Sequence, residues 1–267
     1  MDLTAVPKWY CIRKETVTVA QSPIEQFNIK PLAELQVAGI DVSFTNSSLM
    51  MVSVVSFLTI FLVGGTRKGD VVPGRWQVMV ELLYSFIAGM IRDNVGKEGK
   101  KYFPFIFTLF VFILGLNLAG MLPYSFTVTS HIAVNFALAI FIFLGVTVIG
   151  FIKNGAGYLK LFAPSGVPLW LLPLIVAIEV ISYCTRPISL AVRLFANMLA
   201  GHIMMKVFAG FILSMAAAGT IGMIGGILPF AVNVLLTGLE ILVACLQAYV
   251  FTILTCIYLN DAMHPSH

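Results

Sequence analysis

The chain alternates long apolar runs with short polar or charged connections. The first run opens at Phe44 or Thr45 and ends at Gly64-Gly65, long enough to cross a bilayer. Asn46, Ser47 and Ser48 are its candidate N-caps. Residues 75–95 read differently. Trp76, Val80, Leu83, Phe86, Ile87 and Met90 recur at helical spacing beside Gln77, Glu81, Arg92 and Asp93. That pattern predicts an amphipathic helix lying at the membrane interface rather than a crossing. Residues 96–101 read as a basic loop. Residues 102–122 predict a second crossing, interrupted by Asn117 and closed by Pro123, and residues 131–151 a third.

The last two apolar runs are overlong. Residues 174–215 make about 42 positions, roughly 63 Å at 1.5 Å per residue, against a hydrocarbon core of ~30 Å. No turn signal falls before Gly210, so one tilted or curved helix fits better than two antiparallel crossings. Pro187 supplies a local cause for a bend. A small-residue connection over 216–226 leads to the second long helix, 227–259. The expected fold is an all-α multi-pass membrane protein, one integral domain over 1–267. Residues 1–43 lie outside the membrane, and five helices cross it. One amphipathic helix lies on the surface, and the last two helices form a long, strongly tilted hairpin.

Charge orients this arrangement. Arg67, Lys68, Arg75, Arg92, Lys97, Lys100, Lys101, Lys153 and Lys160 all fall on one side of a five-crossing layout, while the opposite loops 123–130 and 216–226 hold no cation. The excess of positive charge on inner loops puts the N-terminus outside and the C-terminus inside. Of the 267 residues 59% are hydrophobic and only 10% charged, which excludes an ordinary soluble domain with about 25% charged residues. The net charge of +4 is spread as membrane topology requires, so no nucleic-acid partner is expected. Cys11, Cys184, Cys245 and Cys256 form no CxxC pair and read as buried free thiols. No P-loop or HExxH occurs, and no cofactor or metal is expected. The start of the chain lacks the apolar core of a secretory signal.

Candidate chemistry lies inside the long runs. A charge at mid-bilayer costs at least ~2.5–3.5 kcal/mol, so intramembrane ionisable residues default to function. Glu179, Arg186 and Arg193 are seven apart and Asn197 follows four later, which puts all four on one helix face. His202 lies nine residues past Arg193, about 180° around that helix. On the final run Asn233, Glu240 and Gln247 are again seven apart. Arg193 stays protonated at any cellular pH, so it holds a fixed field rather than relaying protons. His202 and Glu240 both titrate and suit a proton path on the outer side. Glu179 reads either as the lining of an inner path, with Asn260 and Asp261 near its mouth, or as a solvated interfacial acid. Arg186 reads equally as an interfacial anchor or a pair for Glu179. Asn197 is expected to support Arg193. Asn117 reads equally as a packing or a channel residue.

These stretches carry a resemblance. Arg193-Leu194-Phe195-Ala196-Asn197-Met198 resembles the arginine motif of subunit a of F-type ATP synthases. The run from Leu246-Gln247 to Leu259-Asn260-Asp261 resembles that family's last helix, and Asn117-Leu-Ala-Gly-Met-Leu-Pro-Tyr124 its middle signature. The similarity covers about Ser22 to Asp261 and is nearest to mitochondrially encoded forms of plants and protists. It implies a non-catalytic, proton-translocating stator subunit of the membrane sector, in the mitochondrial inner membrane. It assigns the essential arginine to Arg193 and a ring-facing glutamine to Gln247. It also gives titratable residues at His202 and Glu240. The implied partners are a rotor ring of acidic two-helix subunits, a peripheral stalk with the other synthase subunits, and membrane lipids. A secondary transporter would show inverted repeats, which the chain lacks. A passive scaffold would leave Arg193, His202 and Glu240 without a purpose.

Overall fold

The computed structural model describes residues 29, 31–33, 36–37, 40–41, 43–67, 69, 72–122, 125–161, 170–217 and 219–263. Most of the expected N-terminal segment, Cys11, Lys68 and Pro123 lie outside the described residues; of the thiols expected to be buried, Cys256 is, while Cys184 and Cys245 are exposed on their helices.

Two short ladders precede the helices. Pro31–Ala33 (β1) pairs antiparallel with Phe44–Thr45 (β4), and Gln36–Val37 (β2) with Ile40–Asp41 (β3). The sequence reading holds no strand here, because segments of two or three residues show no period to detect. Asn46–Thr66 forms α1. Its cap is Thr45, whose hydroxyl accepts the Ser48 N–H at 3.4 Å, and not the expected Asn46, Ser47 or Ser48. Asn46 instead accepts the neighbouring Ser47 N–H at 3.0 Å.

Arg75–Asn94 forms α2. Its Val80, Ile87, Met90 and Ile91 are buried, while Trp76, Met79, Leu82 and Phe86 are exposed. The helix is therefore partly claimed by the protein core, which its apolar spacing alone does not distinguish from a lipid-facing stripe. Gly65 permits α1 to approach it: a Cβ there would lie 2.6 Å from Val80 Cγ2. The expected basic loop is instead a 3₁₀ helix, Lys97–Tyr102, running directly into α3, Phe103–Gly120. Pro104 sits in the first turn of α3, where its missing N–H has no helical partner to lose.

Ile132–Asn154 (α4) is followed by a second 3₁₀ segment, Gly155–Leu161. Leu172–Ala217 (α5) is one unbroken helix of 46 residues with Pro187 inside it. A short helix, Thr220–Gly225 (α6), stands where only a connection was expected. Ile227–Met263 (α7) completes the chain with 37 residues. At 1.5 Å per residue α5 and α7 run ~69 and ~56 Å, each about twice a ~30 Å core. Among the described residues five helical stretches are long and apolar enough to cross a membrane: Asn46–Thr66, Lys97–Gly120, Ile132–Asn154, Leu172–Ala217 and Gly222–Met263. The fold is all-α and multi-pass, with α2 outside the five.

The chain divides into two compact units. The larger, residues 29–199 and 240–267, holds the main core. There Ile87 of α2, Ile106 and Ile113 of α3, Ile142 of α4, Leu194 and Met198 of α5, and Phe251 of α7 are all essentially inaccessible. The smaller unit comprises residues 1–28 and 200–239. Its described part holds the end of α5, α6 and the start of α7, with Phe208 and Phe211 edge to face at 6.3 Å.

Candidate functional site

The orientation of α5 within the larger unit follows from its apolar positions. Leu190, Ala191, Leu194 and Met198 are buried in the core at helical spacing. That turns Arg193 and Asn197 outward, and both are exposed. Among the described residues Arg193 takes part in no ion pair or hydrogen bond. A structural pair of Arg193 with Glu179 is the alternative to an outward-facing charge. The pair does not form, since 14 helical positions put the two about 21 Å apart along the axis. A guanidinium cannot shed its charge. On an apolar crossing helix it needs a counter-charge, and none pairs with it among the described residues.

Beside it, α7 presents Gln247, which is buried. Asn197 donates through Nδ2 to Gln247 Oε1 at 3.1 Å. Asn197 was expected to support Arg193; the partner it holds is Gln247. The Gln247 amide nitrogen is buried and has no hydrogen-bond partner among the described residues. It is a donor with its bond unmade, next to the outward face that carries Arg193. One turn earlier, Asn117 of α3 donates to the Ala244 carbonyl at 3.2 Å. Ala244 and Ala248 are fully buried, and their small side chains allow the backbones to approach. Asn117 is itself inaccessible.

Arg186 stands in the opposite situation. Its Nη1 donates to Asp261 Oδ2 at 3.3 Å, and not to Glu179. Its guanidinium also lies over the rings of Tyr183 at 5.5 Å and Tyr258 at 5.0 Å. Tyr183 continues into a hydroxyl chain, sharing hydrogen bonds with Thr147 at 2.6 Å and with Tyr158 at 2.7 Å. Burial, and then the bond to Tyr183, raise the Tyr158 pKa, so its hydroxyl remains protonated. Asn154 donates to the Ala262 carbonyl at 2.6 Å, holding the end of α7 to α4. Glu179 is half-buried and, among the described residues, joins no ion pair. Sequence reasoning passed over this aromatic setting. The signal was present: Tyr183 precedes Arg186 by three positions and Tyr258 precedes Asp261 by three, which puts each pair on one helix face.

Glu240, one heptad before Gln247 on α7, is buried within the larger unit. His202 and Asn233 belong to the smaller unit. His202 sits on α5 beyond the arginine stretch and is buried. The Asn233 Oδ1 is buried without a hydrogen-bond partner among the described residues. No group of three His, Cys, Asp or Glu able to hold a metal occurs among the described residues.

A family profile described as ATP synthase A chain matches residues 47–260. ATP synthase subunit a of Parvibaculum lavamentivorans is 60% identical over 245 residues, covering 92% of this chain and 94% of that protein. The Rhodospirillum rubrum protein of the same name is 58% identical over 243 residues, covering 91% and 98%. That of Pelagibacter ubique is 57% identical over 252 residues, covering 93% and 100%. All three relatives are bacterial. Matched over most of its length by the profile and by each of these proteins, the chain belongs to the ATP synthase subunit a family.

Proposed function

We propose that this chain is the proton-translocating stator subunit of the membrane sector of an ATP synthase, and is not itself catalytic. The observation that carries the reading is Arg193: exposed on a membrane-crossing helix and without a counter-charge among the described residues. Its complement is a carboxylate brought from outside the chain by a rotor ring of acidic subunits. A proton enters from the outer side by way of His202 and Glu240 and neutralises a ring carboxylate. The neutral site then turns through lipid, which a charged one does only at several kcal/mol. On reaching the inner path, lined by Glu179, it meets the field of Arg193. A fixed cation favours the ionised carboxylate, so the proton leaves. Gln247, with an unmade amide bond beside this face, offers the ionised carboxylate a donor that does not titrate. Each elementary charge falling through 100 mV supplies ~2.3 kcal/mol.

Finer parts of the reading have separate support. Pairing of α5 and α7 as a strongly tilted hairpin against a curved ring is supported by their lengths. An outer N-terminus and inner C-terminus are supported by the distribution of cations. Placement in the mitochondrial inner membrane is supported by the resemblance of the quoted motifs to mitochondrially encoded forms; immunogold labelling of source cells against a plasma-membrane marker tests it. A peripheral stalk and further synthase subunits complete the assembly.

The test is valinomycin-driven proton uptake into vesicles holding equal amounts of assembled complex. Arg193→Ala is expected to abolish ATP-driven pumping while allowing a passive proton leak through an intact complex. A scaffold arginine predicts failed assembly with no leak, and normal pumping by the variant ends the motor reading.

A further inference from the structure

The basic end of the second crossing helix encloses a cavity that the proton path does not use. It measures about 790 Å³ and is walled by α2, the following 3₁₀ helix and the first turn of α3. Its charged lining is Arg92, Lys97 and Lys100, and no acidic residue borders it. Two local features produce this segregation. Gly96 has φ +79°, a left-handed turn that glycine adopts freely, and it reverses the chain so that Lys97 and Lys100 share the cavity with Arg92. The 3₁₀ helix then repeats every three residues, which puts Lys97 and Lys100 on one edge and Glu98 and Lys101 on another. Glu98 lines a separate recess, where Lys153 engages it. Asp93 lies 3.8 Å from Arg92, but both side chains are largely solvent-exposed, where such a pair contributes little.

The rest of the wall is apolar. Tyr84 and Phe103 pack at 4.6 Å, with Ile91 and Pro104 beside them. Ala88 and Gly89 have small side chains, and space remains open where a Cβ on Gly89 would stand. Lys97–Gly120 is a stretch able to cross the membrane, so the cavity sits where its charged end passes into apolar helix. Cations on one side and an aliphatic and aromatic wall on the other match a molecule with an anionic head and hydrocarbon tails.

We propose that this cavity is a specific site for an anionic phospholipid. The phosphate lies among Arg92, Lys97 and Lys100, and an acyl chain lies along Tyr84, Ala88 and Phe103. Free phosphate would use only the cations and leave the apolar wall unfilled. The site is separate from the proton path and stands without it. Basic pockets beside crossing helices recognise such headgroups, and one basic residue near a membrane surface strengthens binding about fivefold.

The test uses the full chain in the complex with which it purifies, delipidated in detergent. Retained phosphatidylglycerol and phosphatidylcholine are titrated by native mass spectrometry. Phosphatidylglycerol is expected to be held at least about tenfold more tightly than phosphatidylcholine. The triple variant Arg92→Gln, Lys97→Gln, Lys100→Gln should weaken it by about a hundredfold, three charges at fivefold each. Gly89→Leu fills open space without altering charge and should also weaken it, while leaving the complex assembled. Equal retention of the two lipids overturns the site, as does an unaffected triple variant. Matching losses in the control triple Arg67→Gln, Arg75→Gln, Lys101→Gln would mean diffuse surface charge and overturn it too. So would displacement by inorganic phosphate at equal concentration with no effect of Gly89→Leu, or a wild-type complex whose partner subunit already fills the cavity.

Discussion

Arg186 and Arg193 lie seven residues apart on one helix and carry the same charge, yet the molecule treats them oppositely. Arg186 meets Asp261 at 3.3 Å and lies over two tyrosine rings. Arg193 is exposed and, among the described residues, unpaired. A satisfied arginine holds helices together; an unsatisfied one in an apolar setting raises the free energy of the isolated chain and falls back when a partner arrives. The difference comes from α7. Where α7 faces Arg186 it offers Tyr258 and Asp261, and near Asn197 it offers Gln247, which is neutral. A neutral amide leaves the charge of Arg193 uncompensated at that point of α7.

Conservative replacement should widen the contrast most. Arg193→Lys keeps a charge but loses the planar fork, and a desolvated lysine can drop its proton. ATP-driven pumping by inverted vesicles is expected to fall to background. Arg186→Lys should retain most of the pumping rate, because a lysine still reaches a carboxylate. Equal loss in the two variants would erase the distinction between them.

The two residues proposed for proton entry come next. His202→Ala and Glu240→Gln should each slow proton uptake severalfold, most at high outer pH where protons are scarce. Exchanging the two, His202→Glu with Glu240→His, should recover more flux than the worse single variant. An exchange no faster than that variant would separate the two residues functionally.

The Arg186–Asp261 contact is a stability matter. Both side chains are partly shielded, with 25% and 31% of their surface exposed, so solvent screens the pair only in part. Losing a charged hydrogen bond costs about 1.5–3 kcal/mol. Arg186→Gln and Asp261→Asn should each lower the thermal midpoint of the solubilised complex, and the double variant should cost less than their sum. Strict additivity would show that the contact contributes nothing.

The smallest stability effect belongs to Asn197. Hydrogen bonds between membrane helices average ~0.6 kcal/mol, so Asn197→Ala should barely move the melting midpoint. It frees the Gln247 amide, however, and proton flux should fall by more than stability does. Unchanged flux would reduce the Asn197–Gln247 bond to packing.

The all-helical class, the five crossings and the overlong final pair were legible in the sequence because each rests on local physics. Hydrocarbon demands about twenty apolar residues per crossing, and a helix face repeats every seven. Glu179, Arg186 and Arg193 keep that period and Asn197 follows four later, so a shared face could be expected from the sequence on the same terms. Capping was not: Thr45 displaced three plausible neighbours because the β1–β4 pairing sets where the chain turns into α1. The basic 3₁₀ helix escaped notice because its three-residue repeat is too short for a periodic signal.

What the sequence by itself determined is which residues share a helix face and which segments must leave water. The tertiary structure alone decided which polar groups on those faces meet. Asn197 bonds Gln247 across 50 positions, Arg186 reaches Asp261 across 75, and Asn117 reaches the Ala244 carbonyl across 127. Those pairings depend on the register of α5, α3 and α7 against one another. Register is set by interlocking of buried side chains such as Leu194, Met198, Ala244 and Phe251, a property of the packed whole that no single segment encodes.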